Sequence, residues 1–200
     1  MTIYLVRHGL AEAGVEDLDP GLAPLGHEQA RAAAEWLRSR NIGRVVVSPL
    51  RRTRETAAPI AAAFSLEPEV REEVAEVFAP DMPAGERQAM VGPFMAGRWS
   101  EQPEELRQWR ARVVQTVTVL GREAAAAGHD LAVVSHYIAI GVVIGEAMGD
   151  DRVVPVPMAN CSITVVDVRD GRLELVEACA VEHLGEDLRG GSGEAHLRQR

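Results

Sequence analysis

Three apolar runs in this 200-residue sequence end on polar side chains able to handle an anion. Ile3 to Val6 leads into Arg7, His8 and Gly9. The run "RVVV" leads into "SPLRRTRET", which begins at Ser48. "LAVVSH" finishes on Ser135 and His136. An arginine guanidinium is a planar fork of N–H donors that matches phosphate oxygens. A neutral imidazole carries a ring lone pair that can attack phosphorus, and nearby cations keep an imidazole neutral. Gly9 lets the backbone turn sharply and approach a ligand closely. Each feature alone has an ordinary explanation: a strand-end pair, a helix-capping histidine, a solvated arginine face. Together they describe a phosphoryl-transfer site.

The elements that must position these groups follow from the pattern of apolar residues. Ile3–Val6, the run before Ser48 and the run before Ser135 are continuous, as in strands covered on both faces. Between them lie helical patterns. "HEQARAAAEWLRSR" runs from His27 to Arg40 with an Ala30, Ala33, Ala34 and Leu37 stripe. "RRTRETAAPIAAAF" carries an interior Pro59 that is expected to kink or split it. "YIAIGVVIGEAMG" is an apolar helix, and "LEPEV" reads as a short strand. A long helix follows Pro103, with glutamates suited to the positive end of its dipole. The stretch from Cys161 to Val181 reads as a hairpin turning at Asp170-Gly171. Strands alternating with helices give an α/β fold: a three-layer sandwich, its central sheet mostly parallel with an antiparallel edge strand, helices on both faces. Ligands of such sheets bind beyond the carboxyl ends of the strands, so the three tips point to one place.

One segment breaks the pattern. "FAPDMPAGERQAMVGPFMAGRWSEQP" is rich in proline, glycine and methionine, with helical pieces that read as short and broken. Phe78, Met82, Met90, Phe94, Met95 and Trp99 need a surface to pack on, so residues 77–103 read as a small helical lobe inserted in one 1–200 domain. The Gly- and charge-rich stretch at 185–200 reads as a flexible tail.

Composition narrows the classes. The formal net charge of −9 argues against a nucleic-acid or anionic-membrane binder, though a small basic site on an acidic protein can still take an anion. The two cysteines, Cys161 and Cys179, lie in apolar strand-like stretches and read as reduced core thiols. No metal-type spacing and no cofactor motif is visible. The sequence opens on a strand, which reads as lacking a signal peptide, and no apolar run is long enough to span a bilayer. A cytoplasmic location is the resulting expectation.

The motifs resemble the histidine phosphatase superfamily, the group that includes cofactor-dependent phosphoglycerate mutases and broad phosphatases. "LVRHG" is similar to its signature. "LAPLGHEQA" resembles a Leu-Thr-x-x-Gly-x-x-Gln-Ala segment, with Ala23 in place of threonine. "SPLRRTRETA" resembles Ser-x-Leu-x-Arg-Ala-x-Gln-Thr-Ala, which puts the family arginine at Arg52. "VVSH" supplies His136, "MANCSIT" resembles an Asn-Cys/Ala-Ser-Ile segment, and "EHL" at His183 is similar to a C-terminal His-Leu pair. The resemblance implies that His8 is the nucleophile and that Arg7, Arg52 and His136 bind the phosphoryl group. It also implies a glutamate as proton donor. Glu76 aligns best, with Glu73 second and Glu72 third.

The sequence departs from the family at the expected rim. Leu10-Ala11-Glu12-Ala13-Gly14 lacks the usual asparagine, "FAPDMPAGE" stands where a Gly-x-Trp-Glu-Gly block is common, and Tyr137-Ile138 replaces a glycine pair. Leu10, Tyr137, Arg87 and Arg98 are the rim candidates. With only Arg87 and Arg98 in the insert, the expected activity is a metal-independent phosphomonoesterase acting on a phosphorylated small metabolite. Phosphoglycerate mutase-type transfer, a protein phosphohistidine phosphatase and a non-catalytic phosphate sensor are the alternatives. No nucleic acid, membrane or cofactor is expected as a partner, and a homodimer stays open.

Overall fold

The apolar runs form the middle of a six-stranded sheet. The computed structural model describes residues 1–12, 17–78 and 84–189, with the backbone alone at 84–89. Strands β1 (Thr2–Arg7), β2 (Ile42–Val47), β3 (Glu69–Val70) and β4 (Asp130–Ser135) run parallel. β5 (Ile163–Arg169) and β6 (Arg172–Ala180) form the hairpin. The order across the sheet is β3-β2-β4-β1-β5-β6. β5 is the one strand that runs against its neighbours β1 and β6. The antiparallel strand is therefore second from the edge, and β6 forms the edge itself. Asp170 (φ 49°) and Gly171 (φ 77°) make the tight turn that a two-residue hairpin needs.

Alternation along the strands explains why they are apolar throughout. Ile3, Leu5, Val46, Leu131, Val133 and Val166 pack on one face, against α4 (Glu104–Ala127) and α5 (Tyr137–Met148). Tyr4, Val6, Val45, Val47, Ala132 and Val134 pack on the other, against α1 (Pro24–Leu37) and α2 (Arg51–Phe64). With both sheet faces buried, neither half of a period-2 pattern can be polar.

Several boundaries differ from the sequence reading for local reasons. α1 begins at Pro24 rather than His27, because proline suits a first helical turn. α2 is one continuous helix through Pro59. Proline forfeits a single backbone bond there, while Ala57, Ile60 and Ala61 still bury the apolar stripe against the sheet. The insert holds one 13-residue helix, α3 (Ala84–Ala96), instead of broken pieces, and Pro93 lies inside it. A chain of rings ties the insert down: Phe78 to Phe94 at 5.1 Å, Phe94 to Trp99 at 5.6 Å, and Trp99 stacked on Trp109 of α4 at 5.9 Å. Met95 packs beside them and Met90 is exposed, while Met82 lies outside the described residues. Residues 185–189, expected to be flexible, form a short 3₁₀ turn docked on α1, where Gln29 Nε2 donates to the Leu188 carbonyl at 2.8 Å. Residues 190–200 lie outside the described residues.

The end of β1 crosses the start of α1 at close range. A Cβ on Gly26 would fall 2.1 Å from the Leu10 carbonyl oxygen, and one on Gly9 would fall 2.6 Å from the Gly26 oxygen. Both obstacles are backbone and cannot rotate away. Gly26→Ala is expected to lower stability by about 1–3 kcal/mol, read by denaturant unfolding; an unchanged midpoint would show that the loop yields.

Candidate active site

Strand register brings the sequence motifs together. β1 and β4 pair with Arg7 opposite Ser135, so the residues that follow, His8 and His136, emerge at the same height. The His8 amide donates to the Ser135 carbonyl at 3.0 Å. The two imidazoles meet edge to face with centroids 5.3 Å apart. Arg52, on the first turn of α2, reaches between them: its Nε lies 3.3 Å from His8 Nε2 and its Nη2 lies 3.3 Å from His136 Nδ1.

Hydrogen-bond chemistry assigns the ring protons. His8 Nδ1 lies 2.7 Å from the Gly9 carbonyl oxygen, which can only accept. Nδ1 therefore carries the hydrogen, and the Nε2 lone pair faces Arg52. By the same reasoning His136 Nδ1 accepts from Arg52, and Nε2–H donates to Ser48 Oγ at 2.7 Å. Arg7 Nη1 donates to the Met158 carbonyl, and the guanidinium lies 4.8 Å from the centroid of the Tyr137 ring. Arg7 Nε is buried with no hydrogen-bond partner among the described residues, an orphaned donor of the kind an oxyanion satisfies.

Electrostatics favour uncharged rings. Burial, then Arg52 and Arg7, push His8 from its ordinary 6.5 down to about 3, against the opposing pull of the Gly9 carbonyl. Burial, then His8, Arg52 and Arg7, hold His136 well below its usual range.

A carboxylate completes the cluster. The 3₁₀ turn Glu72–Val74 is tied to β4, where Ser135 Oγ donates to the Val74 carbonyl at 2.7 Å. Beyond it, Glu76 accepts hydrogen bonds from the amides of Val77 at 3.0 Å and Ile138 at 3.2 Å. Burial raises its pKa, opposed by those two amides and by Arg52 and Arg7. Glu72 and Glu73 are exposed. Of the three candidates, only Glu76 stands at the N-terminus of α5 beside His136.

The other candidates are placed unevenly. Leu10 directly follows the His8 loop, its amide held by Gln29 Oε1 at 2.9 Å. Tyr137 lies on Arg7. Arg98 is exposed, pairs with Arg152 in an isolated bridge and leads into Trp99, whose amide binds the Asp151 carbonyl, so it lies beside the segment that follows α5. The Arg87 side chain lies outside the described residues. Burial pushes the Cys161 thiol up to about 12, which leaves it a core residue. Among the described residues, no group of three or more His, Cys, Asp or Glu side chains could hold a metal ion.

Three further residues hold the site. Ser48 binds His136, the Thr56 hydroxyl accepts from the Gly9 amide at 3.0 Å, and Asn160 Nδ2 donates to the His8 carbonyl at 3.1 Å. All three are visible in the motifs, but their partners are 47 to 152 residues away in sequence, and only the fold supplies them.

A family model described as "Histidine phosphatase superfamily (branch 1)" matches residues 3–180. The chain belongs to the histidine phosphatase superfamily. It is 28% identical over 188 residues to the "Probable phosphoglycerate mutase GpmB" of Enterobacter sp. (strain 638), covering 85% of this chain and 86% of that one. Among solved structures it resembles Bacillus stearothermophilus YhfR, with TM-score 0.78 and 19% identity over 92% of this chain and 99% of that one. It also resembles the Entamoeba histolytica phosphoserine phosphatase bound to phosphoserine, with TM-score 0.72, 21% identity and the same coverage. As in these superfamily relatives, the fold is a mixed sheet between helices.

Both site histidines should resist protonation. The ring-proton NMR shifts of His8 are expected to stay at neutral-imidazole values from about pH 8 down to about pH 5; a midpoint near 6.5 would contradict the assigned environment. The unfolded chain takes up these protons near 6.5 and the folded protein only far lower. Stability should therefore decline as pH falls from about 6.5 toward 3. Glu76, with its raised pKa, contributes in the opposite sense above about 4.5. Denaturant midpoints against pH check the sign, and His8→Asn should flatten the slope.

Proposed function

We propose that this protein is a phosphomonoesterase that hydrolyses a phosphorylated small metabolite through a phosphohistidine on His8. The observation that carries the reading is the His8 tautomer: the Gly9 carbonyl fixes the proton on Nδ1, leaving the Nε2 lone pair aimed into the guanidinium cluster. In the first step Nε2 attacks phosphorus, and the bond to the ester oxygen breaks. Arg52 passes its donors from the two ring nitrogens to the phosphoryl oxygens, and the orphaned Nε of Arg7 gains an acceptor. His136 supplies a further contact to the group. Glu76, whose pKa burial raises, delivers a proton to the departing oxygen. In the second step the Glu76 carboxylate takes a proton from water, the oxygen attacks phosphorus, and the bond to Nε2 breaks.

Hydrolysis is favoured over mutase-type transfer because the insert carries only two basic residues, Arg87 and Arg98, for a second anionic group of a substrate. Both named chemistries occur among the relatives, a mutase and a phosphatase. The acidic charge, free thiols and lack of a membrane-crossing helix among the described residues fit a cytoplasmic enzyme.

His8→Ala is expected to abolish both turnover of an aryl phosphate and the acid-labile phosphoenzyme trapped from it; survival of either overturns the nucleophile assignment. Glu76→Gln should slow cleavage of alkyl esters by ~10²–10⁴-fold and of nitrophenyl esters much less, and an equal loss on both would assign Glu76 a structural role. Chelator should leave the rate unchanged. With 2,3-bisphosphoglycerate, release of inorganic phosphate without interconversion of monophosphates separates phosphatase from mutase.

A further inference from the structure

Arg7 is a half-buried guanidinium whose charge has few direct partners. Nη1 is committed to the Met158 carbonyl, while Nε has no partner among the described residues. Burial disfavours its charge, and the Tyr137 ring is packed against it. The guanidinium carbon stands over the Tyr137 ring, 4.8 Å from its centroid, and the Met158 carbonyl anchors the fork at Nη1. A carboxylate in that place would also neutralise Arg7, but it would occupy N–H donors. An aromatic face stabilises the cation through its quadrupole and accepts none of the in-plane hydrogens. The donors stay aimed at whatever anion enters.

Building on the proposed function, we infer that Tyr137 is a positioning residue that holds the Arg7 guanidinium in plane, so that its unpartnered Nε donor faces the phosphoryl group. Tyr137 occupies the first turn of α5, one residue before the Ile138 amide that binds Glu76. A ring that merely supported the helix start would therefore act through Glu76 and change kcat. A ring that supports Arg7 acts on anion affinity and changes KM.

The test uses the full chain with inorganic phosphate as probe, by calorimetry, together with nitrophenyl phosphate kinetics. Tyr137→Leu is expected to weaken phosphate binding and raise KM about tenfold, with kcat within about threefold. Tyr137→Phe should recover most of that loss. Replacing Tyr137 by 3,5-difluoro- and then 3,4,5-trifluorophenylalanine keeps the ring's shape but drains its negative face, and affinity should fall in that order. This series stands even if the leucine variant does not fold. Affinity that is flat across the fluorinated rings overturns the inference, as does a loss confined to kcat. A wild-type protein that neither binds phosphate nor cleaves the ester overturns the proposed function, and this inference with it.

Discussion

Everything at this site turns on keeping an imidazole uncharged while surrounding it with fixed positive charge. A protonated His8 would have no lone pair to offer, and in bulk water a histidine is half protonated near pH 6.5. The fold solves this by burial and by placing Arg52 and Arg7 beside the ring, so that a second cation is unfavourable there. The Gly9 carbonyl then decides which nitrogen keeps the proton. The same burial that lowers the pKa of both histidines raises that of Glu76. One low-dielectric environment thus favours the uncharged form of base and acid alike.

Geometry is delivered by the sheet and not by the loops. The pairing of Arg7 with Ser135 sets two histidines level, and β2 feeds Arg52 in on the first turn of the helix that follows it. At the start of α5, three consecutive residues serve the site: His136 as a ring beside His8, Tyr137 as a face against Arg7, and Ile138 as an amide to Glu76. These contacts rest on backbone that is paired or buried on both sides.

What could be read from the residues follows the same division. The three buried strands announced themselves as unbroken apolar runs, and their polar ends marked Arg7, His8, Arg52 and His136 as neighbours before any coordinates. Glu76 was harder to place, because Glu72, Glu73 and Glu76 are chemically alike and only the turn tied to Val74 separates the half-buried one from the exposed pair. Ser48, Thr56 and Asn160 could be seen but not given a task, since a hydrogen bond to a distant segment leaves no local pattern. Pro59 misled because a helix packed along its length tolerates one missing bond.

Gln29 links parts of the molecule that the catalytic argument leaves far apart. One end of its amide holds Leu10, two residues after His8, and the other grips Leu188. The 3₁₀ turn at 186–188 is thereby a remote brace for the segment that carries His8. Trimming the polypeptide just ahead of Leu188, or appending a bulky tag there, would remove or strain that brace and loosen the loop of His8 without touching its ring.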